Sequence, residues 1–181
     1  MNKIIVIGGY PGTGKSTIVK SLLKKLDKLN ERFAKMKYES LSYMESKSFI
    51  ILGKYDDGEL FPGTDKLPMN IQPIAKEFIA KQKKTILMEG DRLFNMQMLD
   101  FIQEEVRADL FIYIVEVEEN KLNERRSDRG TNQNIIWLKG RKTKVDNIKN
   151  NMFYKATILP NNNDKQFKAS VDTLLEALTR R

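Results

Sequence analysis

The chain has 181 residues and a formal net charge of +8, a balance that favours an anionic ligand. It contains no cysteine and no histidine, which excludes disulfide partners, cysteine–zinc sites and histidine general bases, so proton transfer falls to Asp, Glu or Lys. No apolar run is long enough to span a bilayer, and we expect a cytoplasmic protein without a membrane partner. The length suits one domain, residues 1–181.

A phosphate-binding motif lies near the start of the chain. An apolar strand at residues 3–7 precedes a glycine-rich turn that fits G-x-x-x-x-G-K-[ST]. In such a loop the backbone amides converge on an anion at the positive end of a helix. Lys15 would reach the β- and γ-phosphates, and the Ser16 hydroxyl would bind Mg²⁺. The predicted nucleotide-binding residues are Gly9, Pro11, Gly12, Thr13, Gly14, Lys15, Ser16 and Thr17.

Two short segments follow the first predicted helix, which begins near Gly14 or Lys15. Residues 36–41 and 49–53 are rich in apolar residues and flank a polar turn, which is typical of a β-hairpin. A short helix over residues 40–46 is the competing prediction.

The irregular segment 53–72 is a candidate acceptor-binding loop. Loops of this length inside a compact domain are usually functional or disordered, and the aromatic and apolar residues here argue against disorder. Aromatic rings for stacking and polar groups for hydrogen bonds suit a nucleobase pocket. The candidate acceptor-binding residues on this loop are Tyr55, Phe61, Thr64, Asp65 and Gln72.

Acidic residues end the buried strand predicted within residues 85–92. A carboxylate at the carboxyl end of a parallel strand faces the ligand crevice of an open α/β sheet. Asp91 is the predicted second magnesium ligand and catalytic residue, with Glu89 and Asp65 as alternatives for the base. Arg92 is predicted to clamp the acceptor.

Residues 121–144 form a predicted basic lid, with eight basic and two acidic side chains. Arg125 and Arg129 are four residues apart, so they share a helix face. Both are predicted to stabilise charge on the transferring phosphoryl group. Trp137 lies within this basic segment. A last strand at residues 155–160 and a final helix capped by Asn163 or Asp164 complete an α/β domain with a mainly parallel sheet.

The loop at residues 9–16, the Asp91–Arg92 pair and the Arg125/Arg129 helix resemble the nucleotide-kinase branch of the P-loop fold. The resemblance implies a P-loop NTPase fold with a five-stranded sheet flanked by helices, ATP with Mg²⁺ as donor, and a mobile lid. The Asp-Arg pair resembles the thymidylate-kinase motif, which serves the acceptor nucleotide. Two further stretches, 52–67 and 137–144, are similar to small bacteriophage kinases, some of which phosphorylate hydroxymethyluracil in DNA.

The combined prediction is an ATP-dependent kinase that acts on a nucleotide-type acceptor, with a hydroxymethylated pyrimidine base in phage DNA as the first candidate. A phage origin would make the location the host cytoplasm. The alternatives are a kinase for a free nucleoside monophosphate or small metabolite, and a P-loop ATPase or switch that has no acceptor.

Overall fold

Seven strands form one sheet in the computed structural model, which describes residues 2–56, 62–128 and 134–180. The strands are β1 Lys3–Gly9, β2 Ala34–Tyr38, β3 Leu41–Glu45, β4 Phe49–Leu52, β5 Thr85–Glu89, β6 Asp109–Glu116 and β7 Thr157–Pro160. Their order is β2-β3-β4-β5-β1-β6-β7. The run from β4 to β7 is parallel, whereas β2 and β3 add an antiparallel extension.

Helices cover both faces of the sheet. They are α1 Lys15–Lys28, α2 Gln72–Lys81, α3 Met96–Asp100, α4 Glu119–Asp128, α5 Ile135–Lys149 and α6 Asp164–Thr179. α3 continues as a π-type turn over Phe101–Val106. None of the helices in the described ranges is long and apolar enough to cross a membrane.

The strand residues alternate between two cores. Along β1, Ile4 and Val6 pack with α2, α3 and α5, whereas Ile5 and Ile7 pack with α1 and α6. Successive strand residues point to opposite faces, so a strand that is apolar throughout is one that is covered on both sides. This is the three-layer α/β architecture that the apolar runs predict.

The predicted strand count is wrong, because the sheet has seven strands rather than five in the described part of the chain. The predicted strand at residues 36–41 contains a two-residue turn at Glu39 and Ser40, where Glu39 adopts a φ of 50°. β2 and β3 therefore form a hairpin, and β3 pairs with β4 in a second one. The competing helix at residues 40–46 is also wrong, since residues 41–45 are β3.

The chain order brings two loops to one edge of the sheet. β1 lies between β5 and β6, and Ile7 is the register partner of Glu89. The turn after β1 and the carboxylate that ends β5 are therefore neighbours. In open α/β sheets this carboxyl edge is where ligands bind.

Candidate active site

The turn between β1 and α1 is a cradle made of backbone. Gly12 and Gly14 have φ angles of 93° and 88°, a region that side chains rarely occupy. A Cβ at Gly14 would lie 2.6 Å from Asn161 Nδ2, so the position of the Asn161 side chain also requires glycine here. Because α1 begins at Lys15, the open amides of its first turn face the cradle.

The Lys15 ammonium lies across the mouth of this loop. Its Nζ donates to the carbonyl oxygens of Gly9 at 2.9 Å and Tyr10 at 3.1 Å. The buried Thr13 hydroxyl donates to the same Tyr10 carbonyl at 2.9 Å, which fixes the turn from within. The loop therefore combines a lysine ammonium with the backbone amides at the start of α1, and both kinds of group bind phosphate.

α4 and the segment after β7 close the loop from the other side. Arg126 Nε donates to the Pro11 carbonyl at 3.1 Å, and Arg125 donates to the Asn161 carbonyl at 2.9 Å. Asn161 Nδ2 in turn donates to the Thr13 carbonyl at 2.7 Å. Two arginines from α4 are thus held beside the loop by main-chain oxygens.

A cavity of about 330 Å³ opens between these elements. Its lining includes Gly12, Gly14, Thr17, Arg125, Asn161 and Phe167. The cavity joins the phosphate cradle to an aromatic ring and asparagine side chains. Its size is at the lower end of the range for small-ligand pockets.

Glu89 is the buried carboxylate next to the cradle, with a side chain that is 1% exposed. Burial raises the pKa of this carboxyl from 4.5 to about 7, against the lowering effect of Lys15, while the nearby Asp65 charge raises it further. The Ser16 and Tyr55 hydroxyls lie near the Glu89 carboxylate and favour its charged form. Among the described residues, however, no group forms a hydrogen bond of full geometry with either carboxylate oxygen. This carboxylate is therefore held in a dry site with unused acceptor capacity.

The segment after residue 61 packs directly against Glu89. A Cβ at Gly63 would lie 2.0 Å from Glu89 Oε1, so only glycine allows this approach. The buried Thr64 hydroxyl donates to the Glu89 carbonyl at 2.7 Å. Asp65 Oδ1 accepts the Asp91 amide at 2.7 Å. The predicted acceptor loop and the end of β5 therefore form one unit.

Tyr55 belongs to the same unit. A backbone pairing between Lys54 and Gly63 closes the base of the acceptor loop beside it. The Tyr55 hydroxyl is buried without a hydrogen-bond partner among the described residues. Burial raises its pKa well above the ordinary value, and the Glu89 charge raises it further.

Asp91 binds two cations of α5. Its carboxylate forms an ion pair with Arg141 and lies 3.2 Å from Lys144 Nζ. Arg92, the next residue, donates from Nε to the Asp65 carbonyl at 3.2 Å. Asp91 thus lies near the candidate base Glu89, but its charge is directed toward α5.

Other contacts bring α5 to the phosphate loop. The Tyr10 hydroxyl donates to Asp146, and Lys142 Nζ lies 5.9 Å from the centre of the Tyr10 ring. The Arg141 guanidinium lies 5.1 Å from the centre of the Trp137 ring. The basic segment predicted as a lid therefore contributes two helices that contact the loop from different sides.

Not every predicted site residue joins this cluster. Tyr55, Thr64, Asp65 and Arg92 surround the end of β5, as described above. The Gln72 amide bonds instead to Gln97 at 2.8 Å and to Asn95 at 3.0 Å, between α2 and α3. Phe61 and Arg129 lie outside the described residues, so their predicted roles stay predictions.

Some residues of the site escape sequence reasoning. Asn161 and Arg126 hold the phosphate loop, and Lys144 binds Asp91, yet none fits a motif by itself. Asn161 follows β7, whose carboxyl end shares an edge with β1. That position after a parallel strand is the signal that could have identified it.

The residues present fit a magnesium ion whose ligands come mainly from nucleotide phosphates and water. No group of three or more acidic, histidine or cysteine side chains within the described ranges could hold a metal. Mg²⁺ is usually bound through one or two protein oxygens together with phosphates and water. Ser16 and Glu89, which lie side by side, offer that donor set.

Fold and site together define a P-loop phosphotransferase. The family model P-loop Nucleotide Kinase3 matches residues 1–165, and the chain belongs to that family. No curated protein matches the sequence.

Solved structures with a similar fold include two kinases. A sugar kinase from Janibacter sp. HTCC2649 is 11% identical with a TM-score of 0.53, over 98% of this chain and 95% of that chain. A gluconokinase from Sinorhizobium meliloti 1021 is 15% identical with a TM-score of 0.51, over 97% and 95%. At this identity the likeness extends to the fold alone.

Proposed function

We propose that the protein is an ATP-dependent kinase that transfers the γ-phosphoryl group to a hydroxyl of a nucleotide-type acceptor. The observation that carries the proposal is the buried Glu89 carboxylate. It faces Lys15 and Ser16 of the phosphate loop on one side and the Gly63–Asp65 segment on the other. One carboxylate therefore contacts both the donor half and the acceptor half of the site.

The donor half would bind ATP through the loop amides and Lys15. Bound phosphates would replace the Gly9 and Tyr10 carbonyls as partners of Lys15, since hydrogen bonds between ionised groups are the stronger ones. Arg125, with the predicted Arg129, would neutralise charge that develops on the transferring group. The cavity beside Phe167 offers a space for the adenine ring of ATP.

Magnesium would be held by Ser16 and the phosphates, with Glu89 in its surroundings, and would neutralise phosphate charge during transfer. This proposal moves the metal-proximal role predicted for Asp91 to Glu89. The support is that Asp91 is engaged by Arg141 and Lys144, whereas Glu89 lies beside Ser16.

The acceptor half favours a hydroxyl over a phosphate as the attacking group. A phosphate oxygen is already anionic, whereas a hydroxyl must lose its proton during attack. The Glu89 carboxylate lies against the Gly63–Asp65 segment, where it is placed to take that proton. Glu89 is therefore our choice for the base, and Asp65 and Arg92 would orient the acceptor.

Among hydroxyl acceptors, a hydroxymethylated pyrimidine in DNA is the first candidate. Trp137 is 39% exposed on a helix that also carries Lys139, Arg141, Lys142 and Lys144, which suits a nucleic acid. A small metabolite is the second candidate, because the gluconokinase and the sugar kinase named above share the fold.

The experiment follows γ-labelled ATP in the presence of Mg²⁺. The acceptors are duplex DNA with thymine or hydroxymethyluracil, free hydroxymethyl-dUMP, and gluconate. Label in modified DNA alone would support the first candidate, and label in gluconate would support the second. Label released only as inorganic phosphate, unchanged by any acceptor, would refute the transferase.

A matched pair of variants tests the base. Glu89→Gln keeps the shape of the side chain but cannot accept the proton, so transfer should fall by about 10²-fold or more. Glu105→Gln removes an exposed carboxylate that follows α3 and should leave transfer unchanged. Equal activity of both variants would exclude Glu89 as the base.

A further inference from the structure

Two cations and one carboxylate form a cluster where α5 meets the end of β5. Arg141 and Lys144 both bind Asp91, and their side chains are only 29% and 23% exposed. Lys144 also donates to the Asp91 carbonyl. The Trp137 ring lies on the Arg141 guanidinium, which shields it further from water.

The charges of this cluster are not balanced. Among residues 2–56, 62–128 and 134–180, Asp91 is the one carboxylate that pairs with the two cations, and the Asp65 carboxylate nearby is bound to the Asp91 amide. Arg92 adds a third cation at the same strand end. Burial lowers the pKa of Lys144 and the charge of Arg141 lowers it further, against the raising effect of the Asp91 and Asp65 carboxylates. Partly buried like charges repel, so this arrangement favours a second anion.

α5 does not need the second cation for its own docking. Val145 and Ile148 already bury the helix against the sheet, and Lys149 pairs with Glu116 near its end. The Tyr10–Asp146 hydrogen bond links the helix to the phosphate loop. Packing and these bonds also position α5.

We propose that Arg141 and Lys144 form a second anion site that binds a phosphate of the acceptor. In the free protein Asp91 forms ion pairs with both side chains, and the acceptor phosphate displaces its carboxylate when it binds. The inference rests on the proposed kinase function and narrows its substrate class to acceptors that carry both a hydroxyl and a phosphate group. The site lies beside the segment that packs on Glu89, because Asp65 bonds to Asp91.

The test uses inorganic phosphate on protein saturated with Mg²⁺ and AMP-PNP, so that the loop of residues 9–16 is already filled. Trp137 is the single tryptophan and lies on Arg141, so its fluorescence reports phosphate at this site. We expect saturable binding in the wild type. Lys144→Gln should weaken it about tenfold or more, because a charge-assisted bond is lost.

Asp91→Asn should change the phosphate affinity in the opposite direction, which makes it the decisive variant. It removes the competing anion, so phosphate should bind about tenfold more tightly than to the wild type. Arg141→Gln should weaken binding; because it changes the tryptophan environment, it is measured by the thermal shift that phosphate produces. Lys168→Gln removes an exposed cation from α6, away from α5, and should change nothing.

The outcomes separate this inference from the proposed function. If AMP-PNP stabilises the protein but phosphate gives no saturable signal, or if Asp91→Asn weakens phosphate binding, the second site is refuted while the donor site stands. If AMP-PNP itself fails to stabilise the protein, the ATP-dependent kinase is refuted. Binding of hydroxymethyl-dUMP is then compared with that of a duplex, whose affinity should fall steeply with salt, to distinguish a terminal phosphate from a phosphodiester.

Discussion

Replacement of Glu89 by glutamine should change how the stability of the protein depends on pH. The wild-type carboxyl is buried, and burial raises its pKa from 4.5 to about 7 in the folded protein. The folded chain therefore takes up this proton at a higher pH than the unfolded chain. As the pH falls from above 7 to 4.5, the proton stabilises the folded state progressively more.

The size of this effect follows from the shift. One pKa unit corresponds to about 1.4 kcal/mol, so the wild-type free energy of unfolding gains about 3 kcal/mol from Glu89 across this interval. Glutamine does not titrate. The stability of Glu89→Gln minus that of the wild type should therefore be greatest above about pH 7 and should fall by about 3 kcal/mol by about pH 4.5.

Urea unfolding at a series of pH values measures this difference, because all other titrating groups are common to both proteins. Glu105→Gln corrects for the loss of a carboxylate at the surface. A difference that stays constant with pH, or that grows as the pH falls, would refute a protonated, buried Glu89. Mg²⁺ with AMP-PNP should reduce the pH dependence, since a bound cation favours the charged carboxylate.

Three further variants probe the site. Gly63→Ala should lose about 2 kcal/mol or more of stability, because φ is 84° and a Cβ would lie 2.0 Å from Glu89 Oε1. The control Gly140→Ala, where a Cβ would have nothing within 4 Å, should gain about 1 kcal/mol. Equal effects of the two substitutions in urea unfolding would contradict the close approach at Gly63. Lys15→Met should lower kcat about 10²-fold or more, and a steady-state assay with unchanged kcat would remove Lys15 from the transition state. Asn161→Ala should raise KM for ATP more than it lowers kcat, because the Thr13 carbonyl loses a partner; an unchanged KM would argue against its role in shaping the loop.

Much of the fold could be predicted because the central strands are apolar on both faces. β1 contains the predicted strand at residues 3–7, and β5 lies at the start of the predicted stretch 85–92. α1 begins at Lys15, one of its two predicted starts, and Asn163, one of the two predicted caps, accepts the Gln166 amide at the start of α6. These elements follow local rules of periodicity and capping.

The edge of the sheet was harder to predict. β2 is almost fully exposed, so neither of its faces needs to be apolar and its sequence lacks the alternation that marks a half-buried strand. The turn at Glu39 and Ser40 lacks the glycine or asparagine that usually marks a tight hairpin. Pairing with β3, rather than local propensity, determines this hairpin.

The site divides in the same way between local and distant determinants. The phosphate loop is contiguous, so its motif could be recognised in full. The choice between Glu89 and Asp91 depends on partners far away in the chain: Lys15 and Ser16 for one, Arg141 and Lys144 for the other. Two carboxylates that lie two residues apart are equivalent in the sequence and differ only after the sheet and α5 have positioned them.

The cations of the site follow one rule that no motif contains. Lys15, Arg125 and Arg126 all donate to carbonyl oxygens of the phosphate loop or of Asn161. A partly buried cation is costly without an acceptor, and these carbonyl oxygens supply the acceptors. Phosphate binding must therefore exchange these bonds rather than add to them. The affinity for ATP will consequently be smaller than the sum of its contacts suggests, and removal of one of these cations will change the loop as well as the charge it offers.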